Sequence, residues 1–463
     1  MPFTYHPPTR TECNVCDELH SEDLREPLID TYNGKASSAN SFPFHNWYNF
    51  VLGYSPKFPR YMLERESISS ADLVVDPFMG SGTTLVTCKT SGIPSKGVDA
   101  NDFMVDAART KLHWDVDIQS LKKLGNDILN RIELEFSRYR WDKEKAGDQL
   151  HLFADFKEDR QDYLAYVQER RPAMLLQKYI SDKPFARASI INDVIQAALG
   201  DNPLREFFDL ALASIIVPIS NVRYGSGFGI VKPRDDADMF GLFSSKLQRM
   251  FRDLESVDDA YRRVMSDVML GDARCLSEYF EPDSVSLMIT SPPYPGDHEY
   301  TKLTRLELIF KGYARSIDEF RVIKKRMLRA STTNLYNDDN DREGIEGLES
   351  IRYVTDLIHE RLEHDGATSG FEKLYTKLVK EYFGGMYKAL RECFRVLRPG
   401  GKIALLVSDS HAFKMVHIQT ARMLQEVGER AGFVDPEIVL WQLKFSTSHK
   451  YSLRENMLIL TKP

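Results

Sequence analysis

Leu73-Val74-Val75-Asp76-Pro77-Phe78-Met79-Gly80-Ser81-Gly82-Thr83-Thr84 decides the fold of this 463-residue chain. A short apolar, β-prone run ends at a carboxylate and gives way to a glycine-rich turn. That is the pattern of a loop leaving the carboxyl end of a buried parallel strand, where doubly wound sheets keep their ligands. The glycines let the backbone turn tightly and approach a ligand, which makes Asp76, Pro77, Phe78, Gly80, Gly82, Thr83 and Thr84 candidate contacts. A dinucleotide fingerprint wants a third glycine three residues after Gly82, and that position is Leu85. A second apolar approach, Lys96-Gly97-Val98-Asp99, puts Asp99 17 residues after Gly82, about where an acid ending the next strand holds ribose hydroxyls. Together these imply a cofactor that contains adenosine but no pyrophosphate. Two glycines alone would equally open an ordinary strand-to-helix turn.

More than 200 residues downstream, Val285-Ser286-Leu287-Met288-Ile289-Thr290 reads as a buried strand running into Ser291-Pro292-Pro293-Tyr294. Two consecutive prolines forbid regular pairing or helix, so the backbone stays extended with carbonyls free to face a pocket. An amine that attacks a methyl sulfonium gains positive charge, and fixed acceptors both orient its lone pair and take up that charge. The Ser291 hydroxyl and the Pro292 carbonyl suit that task, and Tyr294 offers an aromatic face to an extruded base. A Pro-Pro loop capped by a surface tyrosine is the alternative.

These segments carry a resemblance. The chain resembles an AdoMet-dependent DNA amino-methyltransferase, the family that modifies cytosine N4 or adenine N6: residues 76–84 are similar to its cofactor motif and 290–294 to its catalytic motif. Ser291, where many members carry Asp, is the version associated with N4-cytosine enzymes. Tyr54-Ser55-Pro56-Lys57-Phe58-Pro59 resembles the segment that packs over the methionine part of AdoMet, with Lys57 and Phe58 its cover, and Leu270-Gly271-Asp272 resembles the strand end whose acid, here Asp272, meets the adenine. A weaker similarity runs through 394–402, before the apolar run 403–407. The resemblance implies an α/β, Rossmann-like methyltransferase with a mostly parallel seven-stranded sheet, S-adenosyl-L-methionine as cofactor, duplex DNA as partner and a protective role beside a cognate restriction endonuclease. The cofactor motif precedes the catalytic one, the reverse of the commonest N4-cytosine arrangement, as if circularly permuted; the same sheet serves either order. Adenine N6 or an RNA base remains a possible target, and a non-catalytic DNA-binding module on this fold is a reading of another class.

Length and 42% apolar content allow at least one large core, as one domain with an extensive insertion or as two. No apolar run approaches the ~20 residues that span a bilayer, and Met-Pro-Phe-Thr-Tyr-His lacks the form of a signal peptide, so the expected location is the cytoplasm, with no membrane partner. Five cysteines, an odd number, argue against a disulfide framework. Cys13 and Cys16 with His20 would supply three zinc ligands, but no second pair follows at ligand spacing, and no metal is expected.

The formal net charge of −7 does not advertise a nucleic-acid binder, yet a local basic cleft is compatible with it. Arg321-Val322-Ile323-Lys324-Lys325-Arg326-Met327-Leu328-Arg329 is the densest basic cluster; its apolar positions follow a helical rhythm, so Lys324, Lys325 and Arg326 would either contact phosphates or form a solvated face. The chain divides into an N-terminal arm (1–40), a cofactor half (41–110), a helical insertion (111–265) and a catalytic half (266–463). Within the insertion, the glycine-rich stretch 221–229 holds Arg223 and would meet DNA or simply join two helices. DNA recognition belongs to the insertion or to 296–372. In the latter, His298 would serve as a proton acceptor or as a positioning group and Asp297 likewise or as a plain loop cap, and the polar stretch 331–349 is expected to be mobile without substrate.

Overall fold

The computed structural model describes residues 42–141, 161–224, 228–296, 299–365, 370–446 and 451–463. The arm, Cys13, Cys16, His20, residues 225–227, Asp297 and His298 lie outside the described residues. Among those described, no group of His, Cys, Asp and Glu could hold a metal, and no helix is long and apolar enough to cross a membrane.

Seven strands build the central sheet: β1 (Val74–Asp76), β2 (Ser95–Asp99), β3 (Ser266–Leu270), β4 (Val285–Thr290), β5 (Leu397–Ser408), β6 (Val434–Ser446) and β7 (Tyr451–Thr461). Their order is β6-β7-β5-β4-β1-β2-β3. The pairs β1–β2, β2–β3, β1–β4 and β4–β5 are parallel, whereas β7 runs antiparallel between β5 and β6. This is the mostly parallel Rossmann-like sheet that the motifs implied. The strand order turns at the β1–β4 pair: from β1 the chain builds outward through β2 to β3, and from β4 to β5. Loops leaving β1 and β4 therefore emerge side by side and open a crevice at the carboxyl edge.

β1 and β4 are buried at every position because helices or strand neighbours cover both faces, which is why they read as unbroken apolar runs. After β1, Gly82 caps α2 (Thr83–Thr90) at φ +83°, and a Cβ there would stand 3.0 Å from that of Ala108 on α3 (Asp102–Leu112), so both conformation and space call for glycine.

Between β2 and β3 the chain is largely helical, with α4 (Ile118–Ser137), α5 (Asp182–Leu199), α6 (Arg205–Ile219) and α7 (Met239–Glu255). They share a core that includes Ile128, Ile191, Phe208, Leu247 and Phe251. Residues 44–48 join this core too. Trp47 is fully buried and donates its Nε1 to Asp253 Oδ2 on α7 at 2.8 Å, and the same oxygen accepts the Phe44 amide at 3.0 Å.

Beyond β4 come α8 (Ile317–Arg326), α9 (Glu349–Asp365), α10 (Tyr375–Val396) and, after β5, α11 (Thr420–Ala431). Alternate residues of the sheet sort to its two faces. Val75, Met288, Ile403 and Leu405 pack with Leu378, Tyr382 and Met386 of α10, while Val74, Leu287, Ile289 and Leu406 pack with Phe58 and Met62 of α1, the helix Lys57–Arg65.

Candidate active site

A cavity of about 700 Å³ lies at the carboxyl edge of the sheet, within the size range of small-molecule sites. Pro77, Phe78, Gly80 and Thr83 after β1, Asp99 at the end of β2, Asp272 after β3, and Ser291, Pro293 and Tyr294 after β4 all line it. Residues from the two motifs, far apart in sequence, thus share one space.

At one end the glycine turn is braced from behind. Asp76 is fully buried; it accepts the Phe78 amide at 3.1 Å and the Tyr54 hydroxyl at 2.8 Å. Burial pushes its carboxyl up to about 6, opposed by hydrogen bonds from Thr290, Tyr54 and Thr84. Thr84 donates to the Ile289 carbonyl at 3.2 Å, which ties the start of α2 to β4. Asp76, Gly82, Thr84 and Pro292 do not line the cavity but hold up the residues that do.

Asp99 joins two strand ends. Its Oδ2 accepts the Gly80 amide and its Oδ1 the Asn101 amide, both at 2.8 Å. Burial raises this carboxyl to about 6 as well, against the pull of those amides. Each oxygen keeps a further lone pair for a ligand hydroxyl. Asp272 is held by Arg274, whose Nε lies 2.9 Å from Oδ1 and whose Nη2 lies 2.6 Å from Oδ2. Burial disfavours the charge on that guanidinium, but its bonds to Asp272 and Asp341 outweigh this and raise its pKa.

The structure places Phe58 in the core, edge-on to Trp441 at 5.6 Å between ring centres; Lys57 opens the helix, and neither lines the cavity. Tyr54 and Ser55, just before them, do.

At the other end, Ser291 donates its hydroxyl to the Leu406 carbonyl at 2.9 Å and lies 3.3 Å from the Tyr294 hydroxyl. Tyr382 donates to the Pro293 carbonyl at 2.8 Å, and the Tyr294 amide donates to the Tyr300 hydroxyl at 3.2 Å, so the extended tetrapeptide is clamped on both sides. Tyr294 donates its own hydroxyl to Glu455 on β7 at 3.2 Å. Gln442 and Lys444 of β6 donate to the same carboxylate, and all three line the cavity. Sequence reading missed this trio. The one local signal was a charged residue two positions before the apolar run 457–460.

The basic cluster is helical only as far as Arg326; the chain turns extended at Met327, so Met327, Leu328 and Arg329 fall outside the helix, and the cations are engaged within the protein. Lys324 pairs with Glu299 at 3.0 Å, Lys325 with Asp338 at 3.0 Å and Arg326 with Asp102; of the three, Arg326 lines the cavity. Arg223 is exposed on a short antiparallel hairpin, Val222–Tyr224 with Phe228–Ile230. The stretch 331–349, expected to be mobile, is instead pinned. Asp339 pairs with Arg329 at 2.8 Å, and Asp341 pairs with both Arg274 and Lys388, the latter at 2.7 Å.

A sheet of this strand order, with a glycine turn after β1, a carboxylate ending β2 and a proline tetrapeptide after β4 around one cavity, defines an α/β methyltransferase of the Rossmann-like class. Residues 31–110 match the N6_N4_Mtase family model, described as DNA methylase. Type II methyltransferase M.BsoBI of Geobacillus stearothermophilus is 23% identical over 480 residues, 94% of this chain and 89% of that protein. Type II methyltransferase M.MjaII of Methanocaldococcus jannaschii is 44% identical over 108 residues, 23% of this chain and 20% of that protein. TrmN from Thermus thermophilus superimposes on 91% of this chain and 52% of its own at 11% identity and a TM-score of 0.29, too distant to bear on the fold. These matches support the DNA amino-methyltransferase family for this chain, a family whose methyl donor is of the AdoMet type.

Proposed function

We propose that this protein transfers a methyl group from S-adenosyl-L-methionine to the exocyclic N4 amine of cytosine at a specific sequence in duplex DNA. The observation that carries this reading is the cavity that joins the two motif loops, with the uncharged Ser291 heading the tetrapeptide. The residues fit the donor: Asp99 keeps acceptor capacity for ribose hydroxyls, Gly80 at φ +51° meets no atom within 4 Å of its would-be Cβ, and Asp272 borders the same space for the adenine. When bound, AdoMet supplies a methyl group on a sulfonium centre. Because Ser291 spends its proton on the Leu406 carbonyl, its lone pairs remain to accept from the target amine. The Ser291 hydroxyl would aim the nitrogen lone pair and share the positive charge that develops, while Tyr294 stacks on the extruded base.

On the same reading Arg223, Lys324, Lys325 and Arg326 contact the DNA backbone, a cognate restriction endonuclease is the functional companion, and the enzyme works in the cytoplasm. The test is incubation with labelled AdoMet and unmethylated DNA, digestion to nucleosides and mass spectrometry of the product. N4-methyldeoxycytidine is expected. N6-methyldeoxyadenosine would overturn the base assignment, and label found only in RNA would overturn the substrate.

A further inference from the structure

We infer that Glu455 is a positioning residue that supplies, through the Tyr294 hydroxyl, the negative charge that Ser291 lacks at the methyl-accepting end of the cavity. The inference rests on the methyl-transfer reading of that cavity. Ser291 is neutral, and the nitrogen it faces becomes cationic as the new bond forms, so a preorganised negative charge nearby favours the transition state over the ground state.

Glu455 has the geometry for this role. It sits on β7 directly across from Ser408 of β5 and Gln442 of β6, in a strand whose next residues, apart from Asn456, are apolar. The residue is 2% exposed, and a buried carboxylate is costly unless paired. Its pairing is lopsided: the Lys444 side chain is 48% exposed and the Glu455 side chain 3%, so water screens the cation far more than the carboxylate. Both ends of the pair border the cavity, but the carboxylate is the buried one and accepts the Tyr294 hydroxyl, which in turn lies 3.3 Å from that of Ser291.

The other acids that line the cavity are engaged elsewhere. Asp99 holds the Gly80 and Asn101 amides, Asp272 holds Arg274, and Glu299 holds Lys324 and the Thr301 amide. In the reaction the amine lone pair forms the N–CH3 bond as the S–CH3 bond breaks, its electron pair remaining on sulfur; the methylated nitrogen then releases one proton to water.

The test compares single-turnover methyl transfer to unmethylated DNA by the full chain and its E455Q variant, with AdoMet affinity measured in parallel. Glutamine keeps the size and can still accept the Tyr294 hydroxyl but carries no charge. Expected is a fall in rate of about tenfold or more, with AdoMet affinity within about twofold of the unaltered protein and partial recovery in E455D. A rate equal to that of the unaltered protein, or a joint collapse of rate and AdoMet affinity, would overturn the inference. Should E455Q not fold, Y294F breaks the same link with Glu455 in place: a similar loss supports the inference and an unchanged rate overturns it. Label on adenine would overturn the cytosine reading while the rate ratio still judges Glu455; no label in DNA from the unaltered protein would overturn both.

Discussion

The Asp99 carboxylate bridges two adjacent strand ends, accepting the Gly80 amide at 2.8 Å on one oxygen and the Asn101 amide at 2.8 Å on the other. The glycine turn after β1 and the start of α3 are thereby held in place before any ligand arrives, which lowers the ordering cost of binding. The same residue carries the proposed ribose contact. Structural brace and ligand acceptor are one group, and this gives binding a pH dependence.

Burial raises both Asp76 and Asp99 to about 6. For an acid whose pKa is higher folded than unfolded, the folded state binds the extra proton, so this contribution to stability is present at low pH and is lost as pH rises through about 6. Ligand affinity runs the other way, because the carboxylate is the better acceptor. AdoMet affinity should be level above about pH 7 and weaken as pH falls through about 6. Asp99→Asn should weaken binding at high pH and flatten the profile. Equilibrium titrations from about pH 8 to about pH 5 check this, and an unchanged profile in the variant would remove Asp99 as the titrating contact.

Trp47 and Asp253 lie 206 positions apart, yet their hydrogen bond fastens the start of the described chain to α7. Trp47→Ala should destabilise by about 3–5 kcal/mol, as large-to-small changes at fully buried aromatics do. Asp253→Ala should cost about 1–3 kcal/mol by stranding the indole and Phe44 donors. Urea denaturation midpoints measure both. If Trp47→Ala were as stable as the unaltered protein, 44–48 would not belong to the core of the insertion.

How much of this was legible depended on sequence distance. The ends of β1, β2 and β4 were readable because each apolar run meets its glycine, carboxylate or proline within a few residues, and the rhythm of 321–326 showed its helix for the same local reason, though not where that helix ends. What those cations touch was not readable: Arg326 finds Asp102 across 224 positions. Glu455 reaches Tyr294 across 161 positions, and only because β7 inserts antiparallel between β5 and β6. Lys57 and Phe58 show a finer limit. Where the helix Lys57–Arg65 begins decides which residue turns inward, and a shift of a few positions hands the cavity to Tyr54 and Ser55.

If Lys325 and Arg223 contact phosphates, removing each should lower the salt dependence of DNA binding. Lys325 is half exposed but paired with Asp338, so DNA must displace that acid; Arg223 is exposed on its hairpin. Lys325→Ala and Arg223→Ala should each reduce the slope of log affinity against log salt by about 1, the share of a single phosphate, with the smaller drop in affinity at Lys325. Stability should change by less than about 1 kcal/mol, as for most surface ion pairs. Binding isotherms at several salt concentrations decide it, and an unchanged slope in both would move the DNA interface elsewhere.

Tyr294 does two separable things on the proposed reading: its ring stacks on the base, and its hydroxyl, bonded to Glu455, lies beside that of Ser291. Tyr294→Ala removes both, Tyr294→Phe only the hydroxyl. Stacking of a base on an aromatic ring is worth about 1–3 kcal/mol per base, so Tyr294→Ala should lower kcat/KM for DNA by a further factor of about 5 to 150 beyond Tyr294→Phe. AdoMet affinity should hold in both, because Asp99 and Gly80 act at the other end of the cavity. The measurement is steady-state methylation of unmethylated DNA by the three proteins beside AdoMet titrations. Equal activity in Ala and Phe would deny the ring any contact with the base and leave Tyr294 as a carrier of its hydroxyl alone.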